Sequence, residues 1–176
     1  MDWLEIKEFL KDTFKVVFFI VIVLFFIQYV FSVTTVVGDS MNPTLHNEEY
    51  LFLNKLKYRI SDIKRGDVIS LKYENTKYLI KRVIGLPGDT VLIQNNHVYI
   101  NGTMYEESYL SSDLEYDDFS LSSLGYDKIP EDMYFVLGDN RSNSMDSREI
   151  GLISRDDVIG EIVFRFWPLN RFKFVS

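Results

Sequence analysis

From Val16 to Val33 the chain reads VVFFIVIVLFFIQYVFSV, eighteen residues without a charge, interrupted only by Gln28 and Ser32. As a helix this run would span about 27 Å, close to the hydrocarbon thickness of a bilayer. It is apolar on every side, which does not suit a helix packed by one face into a soluble core. It also exceeds the roughly 7–15 apolar residues of a cleavable export signal, and Ser32-Val33-Thr34-Thr35 is a poor cleavage site. The pattern predicts an uncleaved transmembrane anchor over 16–33. Lys7, Lys11 and Lys15 precede it, and no Lys or Arg follows until Lys55. That asymmetry places the N-terminus in the cytoplasm and the rest of the chain outside a single-pass plasma-membrane anchor. The stub over 1–15, apolar at Trp3, Leu4, Ile6, Phe9 and Leu10, reads as a short interfacial helix continuous with the anchor.

After residue 33 the pattern changes to short β-rich runs bounded by turn residues. They are Tyr50–Leu53, Asp67–Leu71, Tyr78–Ile84, Thr90–Ile93, His97–Ile100, Tyr134–Leu137 and Gly160–Phe166. Lys64-Arg65-Gly66, Leu86-Pro87-Gly88-Asp89 and Asn101-Gly102 read as turns, and Asn95-Asn96 as the tip of a hairpin. Residues 34–176 are therefore expected to form a mainly β extracytoplasmic domain, antiparallel and barrel-like or sandwich-like.

Charge changes the picture in one segment. The formal net charge is -7, yet 104–132 holds nine acids and one base, leaving the remainder at +1. This reads as a solvated acidic insertion, with substrate steering or cation binding as the lesser alternative. Cysteine is absent and only His46 and His97 occur. Thiol chemistry, disulfides and a histidine-rich metal site are excluded, and no metal or cofactor is expected. No basic stripe with interleaved aromatics suggests nucleic acid. The aromatic C-terminal run from Phe164 to Phe174 suits core packing on one face and bilayer-interface contact on another.

Candidate chemistry begins at Ser40, seven residues past the anchor run and so within about 23 Å of its end. A serine hydroxyl needs a base, and without a usable histidine that base is Lys, Asp or Glu. Lys81 falls in a strand pattern on the face shared with Leu79 and Val83, while Arg82 faces the other way. Burial there would lower its pKa and free the neutral amine as a general base. From spacing alone, pairing with a carboxylate or an exposed edge face is the more ordinary reading of this lysine. A third cluster, Gly138-Asp139-Asn140-Arg141-Ser142-Asn143-Ser144-Met145-Asp146-Ser147-Arg148, can form ion pairs that fix a loop, and its serines can orient a neutral lysine.

Four segments in order resemble the boxes of the type I signal peptidase family: Ser40 to Leu45, Arg65 to Ile69, Lys81 to Asp89, and Gly138 to Arg148. The resemblance covers nearly the whole chain and leans towards the Gram-positive branch. It implies a serine endopeptidase that removes signal peptides from exported preproteins through an acyl-enzyme, cutting after small residues at the first and third positions before the cut. By position, Ser40 would be the nucleophile and Lys81 the general base. Ser144 would hydrogen-bond the Lys81 amine, Asp146 and Arg148 would pair, and Asp139 and Arg141 would shape the loop. Val36, Val37, Gly38, Met41, Leu79 and Ile80 would line the substrate pockets. Preprotein signal peptides, the bilayer and proximity to the translocation channel follow as expected partners. The chain departs from some members at Gly38, where they carry a serine that helps bind the oxyanion.

Two other readings use the same residues. A self-cleaving repressor-type Ser/Lys peptidase shares the chemistry, but such proteins are soluble and often carry a helix-turn-helix. A catalytically silent, membrane-tethered β interaction module of the export machinery would leave Ser40, Lys81 and Ser144 without purpose.

Overall fold

The computed structural model describes residues 2–74, 76–110 and 115–175. Helix α1 (Trp3–Tyr29) opens with a capping box between Asp2 and Glu5 and buries no side chain. It absorbs the expected interfacial stub without a break. It stops short of the expected end of the anchor, however. Val30 is its cap, and Phe31–Thr35 forms strand β1, antiparallel to β2 (Tyr50–Asn54). The aromatic and β-branched residues that read as lipid-facing there instead suit a half-buried strand. The uncharged helical stretch is thus only 16–29, about 21 Å long. As it stands, no helix among the described residues is long and apolar enough to cross a membrane.

The chain continues through α2 (Lys57–Ile60), β3 (Val68–Tyr73), β4 (Lys77–Gly85), β5 (Val91–Gln94), β6 (His97–Ile100), β7 (Thr103–Tyr105), β8 (Phe119–Ser120) and β9 (Met133–Leu137). It ends with α3 (Ser147–Ile150), β10 (Ile153–Ser154), β11 (Val158–Trp167) and β12 (Lys173–Phe174). The main sheet runs β1-β2-β11-β3-β4-β9-β10, with β12 on β11, and a second sheet runs β7-β6-β5-β8. Pairing is antiparallel throughout the described strands. The architecture is two open sheets; the main sheet ends on β1 and β10 and does not close into a barrel.

Local chemistry sets the turns. Asn95 and Asn96, at φ 52° and 61°, join β5 to β6 with the two left-handed residues that a tight hairpin needs. Asn101 and Gly102, at 53° and 78°, do the same between β6 and β7. One apolar cluster (Ile84, Val91, Ile93, Val98, Leu121, Phe135) joins the two sheets. A second gathers Val36, Met41, Leu45, Leu51, Leu53, Val68 and Ile162 directly beneath the Ser40 segment.

Candidate active site

Two buried side chains, Met41 and Leu45, seat the segment that follows β1 in the core and leave Ser40 half-buried at its edge. Gly38 turns the backbone at φ +89°, and its N–H donates to Asn47 Oδ1 at 2.8 Å. A serine at 38 would be strained in that conformation, which accounts for the departure noted in the sequence. The Ser40 N–H has no hydrogen-bond partner among the described residues and remains free to donate.

Strand β4 brings Lys81 to this turn. Its Nζ lies 2.7 Å from Ser40 Oγ, and the residue is 2% exposed. Burial lowers its pKa to about 8, assisted by the charge of Arg148 and opposed by Asp146 and Asp139. Both acids are themselves countered. Asp139 accepts a bidentate pair from Arg82, Nε at 2.9 Å and Nη2 at 2.8 Å, and a bond from Thr44 Oγ1 at 2.5 Å. Asp146 caps α3 and accepts from Arg148 Nε at 2.8 Å, Arg148 Nη2 at 2.9 Å and the Gly138 N–H at 3.0 Å. Desolvation therefore dominates at Lys81, because the nearby carboxylates are spent on arginines.

The expected Asp146–Arg148 pair is present; the expected role of Ser144 is not. Its Oγ is buried without a hydrogen-bond partner and packs against Gly138 rather than bonding to Lys81. A Cβ on Gly138 would sit 2.1 Å from Ser144 Oγ and 2.5 Å from the Ser40 oxygen, so only glycine lets the two loops meet. Asp139 and Arg141 do not pair with each other. Arg141 donates from Nη1 to Glu107 Oε2 at 2.9 Å, with a second bond from Nη2 to Oε1, and contacts the hydroxyls of Tyr116 and Tyr109. The acidic segment is thus not wholly solvated: Glu107, Tyr109 and Tyr116 are built into the back of the site, with Tyr109 stacked on Arg82 at 3.9 Å.

Asn140 has a part that the sequence reading left unassigned. Its N–H donates to the Ser40 carbonyl at 3.0 Å and its Nδ2 to the Asp39 carbonyl at 3.1 Å, clamping the nucleophile turn from the opposite loop. Nothing in the order of residues shows that positions 39 and 140 meet.

A groove of about 480 Å³ opens beside Ser40 and Lys81. Thr34 to Val37 and Lys77 to Ile80 form much of its lining, with Met41 and Ser70. Val36, Val37, Met41, Leu79 and Ile80 all line it as expected, although Val36 and Met41 are also core residues. Gly38 is not among the lining residues and acts through its backbone instead.

The family model described as signal peptidase, peptidase S26, matches residues 7–167. The chain belongs to this family. Signal peptidase I P of Bacillus subtilis subsp. natto is 40% identical over 174 residues, covering 95% of this chain and 94% of its own. Signal peptidase IB of Staphylococcus aureus strain MRSA252 is 33% identical over 180 residues, covering 96% and 94%. The crystal structure of a signal peptidase I from Enterococcus faecalis V583 superposes with a TM-score of 0.53 at 37% identity, over 58% of this chain and 98% of that one. The protein is a signal peptidase I, a serine endopeptidase that removes signal peptides.

Proposed function

We propose that Ser40 attacks the scissile carbonyl of an exported preprotein and that Lys81 is its general base. The carrying observation is the 2.7 Å approach of a desolvated amine to the Ser40 hydroxyl. With a pKa of about 8, roughly one Lys81 in ten is neutral at pH 7. The neutral amine accepts the Ser40 proton as Oγ bonds the carbonyl carbon. The Ser40 N–H donates to the oxyanion. Collapse breaks the C–N bond, the Lys81 ammonium returns its proton to the leaving amine, and Ser40 holds the acyl group. Lys81 then takes a proton from water for deacylation, so the ester yields a carboxylate and free serine.

Lys77 to Lys81 pair with β3 on one side, while β9 joins β4 only from Arg82 onward. The unpaired edge beside the groove suits an extended peptide added as a strand, with alternate side chains entering the groove. The half-buried Leu79 and Ile80 leave shallow room, which fits small residues at the first and third positions before the cut.

The chain is tethered through α1, with its catalytic domain outside the cytoplasmic membrane. Support comes from twelve consecutive apolar residues, Val16–Ile27, with no protein packed on them. Lys11 and Lys15 can extend the span by lying along it and reaching to the headgroups. The emerging signal peptide and the translocation channel are the corresponding partners.

Cleavage of a preprotein with alanines at those two positions tests this reading. Ser40→Ala and Lys81→Ala should each abolish it while the fold is retained. Cleavage persisting in either variant would reject the dyad.

A further inference from the structure

Away from the groove, a buried carboxylate sits between two arginines. Glu49 accepts from Arg165 Nη1 at 2.8 and 2.9 Å and from Arg171 Nη1 at 3.1 Å. Arg165 is further committed, through Nε to the Arg171 carbonyl at 2.6 Å and through Nη1 to the Thr44 carbonyl at 3.2 Å. Arg171 is half-exposed, and Lys173 is exposed with no ion-pair partner among the described residues. Together with Thr44, His46 and Phe174 these bases border a hollow of about 330 Å³. Three cations face it against one carboxylate, so the described side chains leave it positive.

Its surroundings are apolar and bare. Phe174 is 63% exposed, Phe172 53% and Trp167 50%. Phe174 packs on Phe164 with ring centroids 5.9 Å apart, Phe164 on Phe52 at 4.7 Å, and Phe52 on Phe31 at 4.9 Å. Phe31 lies two residues past the end of α1. An unbroken aromatic row thus leads from the foot of the helix to the basic hollow. Rings at headgroup depth beside cations reaching phosphate is the chemistry of a bilayer interface.

We propose that this hollow binds the phosphate of an anionic phospholipid through Arg171 and Lys173, with Trp167, Phe172 and Phe174 lodged in the interface around it. The inference rests on the anchoring of α1 proposed above. Its consequence is positional. Thr44 borders the hollow, and its hydroxyl bonds Asp139 beneath the catalytic pair, so a bound lipid would fix the height of the groove above the membrane.

The test uses the full chain carrying Trp3→Phe, which leaves Trp167 as the single tryptophan, reconstituted in phosphatidylcholine–phosphatidylglycerol vesicles. Bromine is placed on either lipid at equal mole fraction, and quenching of Trp167 is read. A basic residue near a bilayer surface enriches anionic lipid by about fivefold, so quenching by brominated phosphatidylglycerol should exceed that by brominated phosphatidylcholine at least ~2-fold. Lys173→Gln, which removes no described ion pair, should reduce that ratio, and Arg171→Gln with Lys173→Gln should bring it to one. Equal quenching in the parent chain, or a preference surviving in both variants, overturns the site. Absence of quenching by either lipid also overturns it, and leaves the surface to an acidic protein partner. A chain that fails to float with the vesicles refutes the anchor first and this site with it.

Discussion

Glu107 and Arg141 form an ion pair that is almost wholly buried, the guanidinium fully and the carboxylate 7% exposed. The pair joins the acidic segment to the loop behind the catalytic lysine. Removing one partner strands a charge, which costs about 3–5 kcal/mol, whereas replacing both by apolar groups of similar volume is often near neutral. Glu107→Ala should therefore destabilise the protein by that amount, and Glu107→Leu with Arg141→Met should recover most of it. Denaturant unfolding of the single and double variants checks this. Equal losses in all of them would mean that the segment contributes packing rather than charge.

Asn140 bonds the carbonyls of both Asp39 and Ser40. Asn140→Ala keeps the backbone bond and loses the side-chain one, worth about 1 kcal/mol. If the clamp sets the aim of Ser40, kcat should fall roughly fivefold to tenfold with KM little changed. Asn140→Asp, which cannot donate from the side chain, should behave like the alanine variant. A change confined to KM would place Asn140 in substrate binding instead.

Gly138→Ala puts a methyl into the contact between the nucleophile turn and Ser144. The two loops must then separate. Activity should fall by more than about a hundredfold if the shift approaches 1 Å, with a smaller effect on stability. Near-normal turnover would show that the close approach is not needed for catalysis.

Much of this was legible in the sequence, for reasons that differ by element. The hairpin at Asn95-Asn96 and the strands around Lys81 follow from turn chemistry and β-branched runs, which act locally. The end of the helix does not. Phe31 to Val33 continue the uncharged run, and only pairing with Tyr50–Asn54 turns Phe31–Thr35 into a strand. Ser40, Lys81 and the Asp146–Arg148 pair came from the order of motifs. The pairing of Asp139 with Arg82 and of Arg141 with Glu107 links residues 57 and 34 positions apart, a long-range choice that charge spacing within one loop cannot show. The bond expected from Ser144 to Lys81 is absent for a similarly spatial reason, since Ser144 is held against Gly138.

Burial of Lys81 also affects stability. The folded-state pKa, about 8, lies below the ordinary lysine value. Between about pH 8 and 10.4 the unfolded chain holds a proton that the folded chain does not, so stability rises with pH across that window. Below it, the folded protein carries a desolvated charge. Lys81→Met should stabilise the protein at pH 7 by about 2–3 kcal/mol, and the gain should shrink towards zero above about pH 10. Melting temperatures in detergent micelles at the two pH values check both the sign and the window.

The claim that a neutral Lys81 takes the Ser40 proton is tested most directly by the pH dependence of kcat/KM on a preprotein substrate. The rate should climb about tenfold per pH unit at low pH, bend near pH 8 and level off above it. A profile flat from about pH 5 to 9 would contradict the assignment of Lys81 as the base.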